Sequence, residues 1–544
     1  MSETSWPSHG YVYGVDVPRF RDSNGDGIGD LPGVLERLDY IADLGVSWIW
    51  LLPFYPSERR DNGYDVDDHV GVDERFGTVD DFEALARECH RRGISVLADL
   101  VIHHTSDRHR WFQEGRQDRS SLYGNYYVWA DEPVDVPNDV NVFPGEENDV
   151  WTYDASARGW YHHQFYEFQP DLNLANPEVF EEIVRIGTTW LERGVDGFRL
   201  DAAIPAVTRK PTLGTEVDDR VFFQRLRTRL AETRSDVVLV GEADLPPDAI
   251  APLVHGGQMD AVLDFALNNN VFLALTRENP DAICLALDSL DTAVPVPARV
   301  NFMRNADELD LQQLTDDERR EVFASFAPDP EMLLYGRGLR RGWTPMMGNP
   351  QRFRMTLSLL AALPGVPLLL QGQELGIGDD LSMEGRGAGR PTMQWSDAPA
   401  GGFSDRPDAP FVLPAQRSGP YDFADVNVEQ QQADDRSHLA LARTLARLRT
   451  DACLGIRQAR RVPLPGAPQV LALRTWDKAS PGDTITLHNL GAMPQPIRLD
   501  LRTTTLLGEE WHGDALGAYG FAWLQCLEKG AASTDAVPGA PMPA

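Results

Sequence analysis

VDGFRLDAA at 195–203 is a short apolar run that ends on an acid, Asp201; the same pattern recurs in VVLVGEA at 237–243, ending on Glu242, and in ARVNFMRNADE at 298–308, ending on Asp307. Short runs rich in Val, Leu and Phe, closed by a polar residue, read as strands buried on both faces, the kind found in parallel sheets. In a parallel barrel, polar residues at the C-terminal strand tips read as catalytic. A single strand-ending acid would do no more than cap a loop. Three on three different strands read as one site.

Five further runs fit the same reading: VYGVDV (12–17), VSWIWLL (46–52), ISVLADL (94–100), DAVLDF (260–265) and VPLLLQG (366–372). Helical patterns lie between them, such as VDDFEALARECHRRG before the third strand and VFEEIVRIGTTWLERG before the fourth. Eight strands alternating with helices predict an α/β fold, a closed (β/α)8 TIM barrel. The connection from His104 to about Gln169 exceeds an ordinary loop and is rich in Trp, Tyr, Asn and Pro, so it reads as a subdomain inserted after the third strand and walling the substrate cleft. Beyond the helix SHLALARTLARLR (437–449) the runs VLALRTW, DTITLHNL, PIRLDLR and YGFAWLQC predict a C-terminal antiparallel β domain. The expected boundaries are 1–103 for the first part of the barrel, 104–169 for the insert, 170–455 for the rest of the barrel, 456–530 for the β domain and 531–544 for a disordered Pro-rich tail.

Composition narrows the partners. With 83 acids against 50 bases the formal charge is −33, which argues against nucleic acid or an anionic membrane. No stretch approaches a membrane span, and MSETSWPSHG at 1–10 lacks the apolar core of a secretory signal. Cys89, Cys284, Cys453 and Cys526 have neither zinc-site spacing nor disulfide-scaffold density, so buried thiols in the cytoplasm are expected. For the chemistry, three converging carboxylates fit retaining glycoside cleavage, which needs a nucleophile and a proton donor roughly 5 Å apart.

The motifs around these acids resemble the α-amylase superfamily of glycoside hydrolases and transglycosylases. The matching segments are DNGYDVDD (61–68), DLVIHHTS (99–106), QPDLN (169–173), GFRLDAA (197–203), VGEA (240–243) and RNADE (304–308), in that order. Within it the chain is most similar to the trehalose synthases, on DSNGDGIGD (22–30), PFYPS (53–57), FAPDPEM (326–332), QGQELGIGD (371–379) and RPTMQWSD (390–397). By resemblance, Asp201 is the nucleophile, kept ionised by Arg199; Glu242 is the general acid and then base; Asp307 stabilises the oxocarbenium-like transition state. Tyr64, Asp65, His104 and Arg390 match the residues that grip the sugar, and an Asp65–Arg390 pair would close the pocket against long chains.

The loop DSNGDGIGD offers side-chain oxygens at Asp22, Asn24, Asp26 and Asp30, spaced by glycines, a donor set suited to a hard cation; an Asx-rich turn is the other reading. The resemblance adds the Ile28 carbonyl and implies a structural Ca²⁺ (or Mg²⁺), with no organic cofactor. Two positions depart from the family pattern: His103 stands where Asn is usual, and Ala306 where a His normally donates to the sugar. A hydrogen bond made in the transition state is worth roughly 2 to 4 kcal/mol, so Ala306 implies a slower enzyme, a substituted sugar or a compensating group such as His103. RPTMQW in place of the usual RTPMQW is a third, local swap that could move Arg390. The expected activity is isomerisation of maltose to trehalose, with hydrolysis of a small α-glucoside as the alternative and a non-catalytic sugar-binding protein as the reading from another class.

Overall fold

The eight apolar runs close into one barrel. In chain order the strands are β1 (Tyr11–Val15), β2 (Val46–Leu51), β3 (Ser95–Leu100), β4 (Gly197–Leu200), β5 (Val238–Gly241), β6 (Ala261–Leu263), β7 (Arg299–Asn301) and β8 (Val366–Leu370). Each is parallel to both neighbours, and β8 returns to β1. This computed structural model describes residues 6, 10–134, 141–203, 219–406, 416, 419–452, 454, 459–476 and 483–527.

Side chains alternate across each strand, and the two faces pack into separate cores. Val12, Trp48, Trp50, Leu97, Val240, Leu263, Val300 and Leu368 fill the barrel interior. Tyr13, Ile49, Val96, Phe198, Leu239 and Leu369 point outward, under the helices. Each such buried side chain contributes roughly 2 kcal/mol of transfer free energy, so the barrel is a stiff frame for whatever its tips carry. The helix Val79–Arg91 shows how the outer layer forms. Thr78 accepts from the Asp81 amide while the Asp81 carboxylate accepts from Thr78, a capping box, and Phe82, Leu85, Ala86 and Cys89 form the buried stripe.

The expected strand over 260–265 is shorter than its apolar run. Asp264 turns its carboxylate onto the Leu267 amide and caps a helix, Phe265–Arg277, so β6 stops at Leu263. Local capping beats strand propensity there. Between β3 and β4 lies a three-stranded antiparallel sheet of Trp129–Ala130, Gly159–His162 and Trp151–Asp154. After the barrel a second antiparallel sheet runs from Ala459–Arg461 to Ala515–Cys526. It is tied to the barrel layer by Trp523 Nε1, which donates to Ser358 Oγ at 2.9 Å. Cys89, Cys284 and Cys526 are free and buried. Cys453 and the tail 531–544 lie outside the described residues. Among the described residues no helix is long and apolar enough to cross a membrane.

Candidate active site

Arg199 is the hub. It sits in β4 beside Asp99 of β3, and both side chains face into the barrel, where a lone buried charge would be prohibitive. Its Nη1 donates to Asp99 Oδ1 at 2.6 Å, to Asp201 Oδ1 at 2.5 Å and to Tyr64 Oη at 3.2 Å. Its Nη2 lies 2.6 Å from Glu242 Oε2. Trp50 Nε1 donates to the other oxygen of Asp99 at 2.9 Å, which fixes that carboxylate and through it the guanidinium. One guanidinium thus holds both carboxylates, Asp201 through Nη1 and Glu242 through Nη2. Asp99 was not singled out from the sequence; its signal is an acid on the inward face of an otherwise apolar strand.

Asp201 directly follows β4 and Glu242 directly follows β5. Between them, Ala202 adopts left-handed backbone (φ 43°), which brings its amide 3.1 Å from Glu242 Oε2. A left-handed alanine stores of order 1 kcal/mol of strain, an observed outlier at the reacting pair. Burial pushes both carboxyls up to about 7, against the pull of Arg199. The contact expected between Arg199 and Asp201 is present, but the arginine does not hold Asp201 in the ordinary carboxylate range, because burial and the neighbouring charges of Asp99 and Asp307 outweigh it. Two interacting carboxyls of this kind release their protons as a pair. Asp307 differs: burial works against its charge too, but Arg386, Arg390, Arg199 and Arg304 overcome it and keep its carboxyl below the usual range.

These groups face a cavity of about 310 Å³, also lined by Tyr64, His104, Asp61 and Arg386. His104 Nε2 donates to the Tyr64 carbonyl at 3.2 Å, joining the loops that follow β2 and β3. Asp307 lies beyond the end of β7 rather than at its tip. Its Oδ1 accepts from Arg386 Nη1 at 3.0 Å and from Arg390 Nη2 at 3.3 Å. Arg386 Nε also donates to Glu308 at 2.7 Å, and Nη1 stands 3.9 Å from Asp61 Oδ1. Gln169, from the QPDLN segment, donates to Asp61 Oδ2 at 2.9 Å. Over Arg386 lie the rings of Phe143 and Tyr335, and Tyr335 Oη is 2.8 Å from Tyr166 Oη.

Two expected sugar contacts move. Asp65 does not line the cavity: its carboxylate accepts from the Asp61 amide at 3.0 Å and the Arg60 amide at 3.1 Å, holding its own loop. Arg390 turns to Asp307 and, through Nε, to the Ala306 carbonyl. The expected Asp65–Arg390 pair does not form among the described residues; Asp61 and Arg386, each four residues earlier, stand at the cavity instead. Ala306 is fully buried and lines a separate, smaller cavity, not the larger one. His103 does not line the larger cavity either. Its Nδ1 is 3.1 Å from Asp171 Oδ1, and His162 takes the other oxygen at 2.8 Å. The suggestion that His103 replaces the missing donor is therefore set aside.

In the loop 22–30 the acids are turned onto the loop's own amides. Asp22 accepts from Gly25 and Gly27, Asp26 from Ile28, Asn24 from Asp26, and Asp30 from Ser23 and Gly33. Among the described residues no group of three or more His, Cys, Asp or Glu side chains is placed to hold a metal ion. The other expected donors, the Asn24 amide oxygen and the Ile28 carbonyl, are not of these types, and no chemistry is assigned to a cation here.

Residues 17–455 match the family model of the α-amylase catalytic domain. The chain is similar to the trehalose synthase/amylase TreS of Mycolicibacterium smegmatis, 36% identical over 573 residues, covering 99% of this chain and 95% of the relative. It is also similar to the trehalose synthase of Pimelobacter sp., 34% identical and covering 92% and 90% of the two chains. Among solved structures, an alpha-amylase from H. orenii superposes with a TM-score of 0.77 at 28% identity, covering 96% of this chain and all of that one.

Proposed function

The chain belongs to the α-amylase family, and from that premise we propose that it transfers an α-glucosyl unit through a covalent glycosyl-enzyme, isomerising maltose to trehalose. One observation carries the reading: the cavity is small, about 310 Å³, and its wall includes Arg386, held by Asp61 and Asp307. Such a volume lies at the small end of ligand pockets, suited to a disaccharide and not to a length of polysaccharide.

In the proposed sequence, Asp201 attacks the anomeric carbon of the bound glucosyl unit while the glycosidic bond breaks. In this sequence Asp201 is the ionised member of the pair and the retained proton is on Glu242, from which it passes to the leaving oxygen. Arg199 then neutralises the carboxylate left on Glu242. Asp307, ionised and held by two arginines, stabilises positive charge on the ring. The released glucose turns within the cavity and its anomeric hydroxyl attacks the glycosyl-enzyme, Glu242 accepting the proton; the new bond is α,α. Water attacking in its place gives hydrolysis, the alternative outcome of the same site.

Purified protein incubated with maltose, trehalose, sucrose and isomaltose, with anomeric products read by NMR, tests this. Trehalose from maltose supports the proposal. Glucose alone replaces isomerisation by hydrolysis, and no turnover of any of them returns the non-catalytic sugar-binding reading. Cytoplasmic placement belongs to the same proposal, supported by three free, buried cysteines among the described residues.

A further inference from the structure

A second large cavity, of about 320 Å³, is lined by the segments that follow β2 and β3 and by the helix Pro177–Glu192, and it shares no residue with the catalytic one. Two buried histidines meet there, His69 and His109, with ring centroids 5.3 Å apart; Trp111 stacks on His69 at 6.1 Å. His69 is 3% exposed, and neither of its ring nitrogens has a hydrogen-bond partner; the Val101 carbonyl stands near the ring without the geometry of a bond. His109 Nδ1 accepts from the Trp111 amide at 3.1 Å, so the hydrogen of the neutral ring is on Nε2, which meets no acceptor among the described residues. One carboxylate oxygen of Asp67 is also buried without a partner. The backbone around these groups is fixed. Trp190 Nε1 donates to the His69 carbonyl at 2.7 Å, and Arg193 Nη1 to the Val70 carbonyl at 2.5 Å.

Buried polar atoms are rarely left without partners, and several of them converging on one cavity mark the place of a ligand. The lining sets its class. Burial holds both histidines neutral, His69 down to about 4 and His109 well below the ordinary range. The charges that remain cancel: Asp67 and Asp68 stand against Arg110 and Arg185. An ion of either sign gains nothing from such a lining, and among the described residues no group of three or more His, Cys, Asp or Glu side chains is placed to hold a metal. A neutral imidazole both gives and accepts a hydrogen bond, a carboxylate accepts and a guanidinium gives, which is the mixture that adjacent hydroxyls satisfy. We propose that this cavity is a second, non-catalytic binding site for a neutral sugar of one or two rings, its hydroxyls shared among His69, His109, Asp68 and Arg185 and its apolar side resting against Trp111 and Ile186. The volume suits it, lying at the small end of ligand pockets and far above what one ion or water fills. The site does not depend on which reaction the enzyme performs.

The full-length Glu242→Gln protein, which keeps both cavities without turnover, is titrated with glucose, maltose and trehalose, with glycerol as the control polyol, while tryptophan fluorescence and melting temperature are followed. No tryptophan lines the catalytic cavity among the described residues, so a saturable change in fluorescence reports the second one, and Trp111→Phe should lose it. Arg185 is exposed and its guanidinium pairs with Glu182 of its own helix, so Arg185→Ala leaves the fold intact. It should weaken the affinity read by fluorescence roughly tenfold, the worth of one hydrogen bond to a charged group, and leave the rise in melting temperature due to the catalytic cavity in place. His69→Leu should abolish the fluorescence change; if that variant does not fold, Arg185→Ala decides alone. Because the titration needs no turnover, its failure and the failure of the proposed reaction are separate results. No saturable fluorescence change with any of the three sugars, a change that glycerol matches, or one that Arg185→Ala leaves unaltered would overturn the site.

Discussion

Arg386 Nη1 lies 3.9 Å from Asp61 Oδ1 and 3.0 Å from Asp307 Oδ1, so one guanidinium joins the cavity wall at Asp61 to the third carboxylate. A sugar bound against that wall would be gripped and electrostatically poised by the same group. Arg386→Ala should lower kcat/KM on the true disaccharide by roughly 100-fold, the scale of losing one preorganised charge at the reacting centre. Asp61→Asn should raise KM. Asp65→Asn should instead lower the melting temperature, since Asp65 holds backbone amides. Steady-state kinetics with thermal melts separates these; an Arg386→Ala enzyme within threefold of wild type would remove Arg386 from the site.

Asp201→Asn and Glu242→Gln should each lower turnover by about 10⁴-fold or more, as for residues acting as one unit, while circular dichroism stays native. Their effect on stability has a definite sign. Both carboxyls are raised to about 7 in the folded protein, from roughly 4 in an unfolded chain, so the native state binds extra protons between those values. The stability they lend is complete below about pH 4 and lost as pH rises through about 7. Glu242→Gln has no charge to bury, so its melting temperature relative to wild type should rise from pH 5 to pH 8. A flat or falling difference would mean that Glu242 is not perturbed.

How much of this is readable from the chain depends on the element. Parallel strands buried on both faces declare themselves as apolar runs, and all eight fall where those runs lie; Asp201 and Glu242 follow because they are the residues at which the apolar pattern stops. Irregular segments carry no such period. DNGYD holds two acids four residues apart, and the Gln169 amide, distant in sequence, marks Asp61 as the one at the cavity. In GRGAGR the choice between Arg386 and Arg390 is made by a short 3₁₀ turn, Gly385–Gly389, with no apolar face to betray its orientation. His103 and Ala306 mislead for the same reason: a neighbouring catalytic residue says nothing about which way the next side chain points.

A structural Ca²⁺ or Mg²⁺ at the loop 22–30 is a separate proposal, supported by an all-oxygen donor set and by Gly25 and Gly27 in left-handed backbone. The self-bonded acids weigh against it, because a cation would have to share oxygens already engaged. A bound cation stabilises the native state by linkage, so chelation should lower the melting temperature, Ca²⁺ should restore it, and Asp22→Asn should cancel both. An unchanged melt, with no Ca²⁺ or Mg²⁺ by elemental analysis, would leave the loop as an Asx-rich turn.

Isomerisation demands that released glucose outlast competition from water, and the Tyr166–Tyr335 contact, which packs against the cavity-lining Arg386, can be tested for a part in it. Tyr166 comes from the segment after β3 and Tyr335 from the hairpin Leu333–Leu339, and their hydroxyls meet at 2.8 Å. Phe143 stacks on Tyr166 with 4.3 Å between centroids and lies 4.7 Å from Tyr335, so the three rings form one aromatic cluster joining two loops. Tyr335 adopts left-handed backbone (φ 54°), a conformation a tyrosine keeps only when its surroundings enforce it. Removing one hydroxyl leaves the stacking and deletes a bond worth about 1 kcal/mol net, which corresponds to roughly a fivefold gain in the opened form. Tyr166→Phe and Tyr335→Phe should therefore each raise the ratio of glucose to trehalose formed from maltose by up to about fivefold, with little change in maltose consumption. The double variant should match either single one, because both delete the same bond. Product ratios equal to wild type in all three would show that this contact does not guard the intermediate; additive effects would show that the two hydroxyls act through different partners.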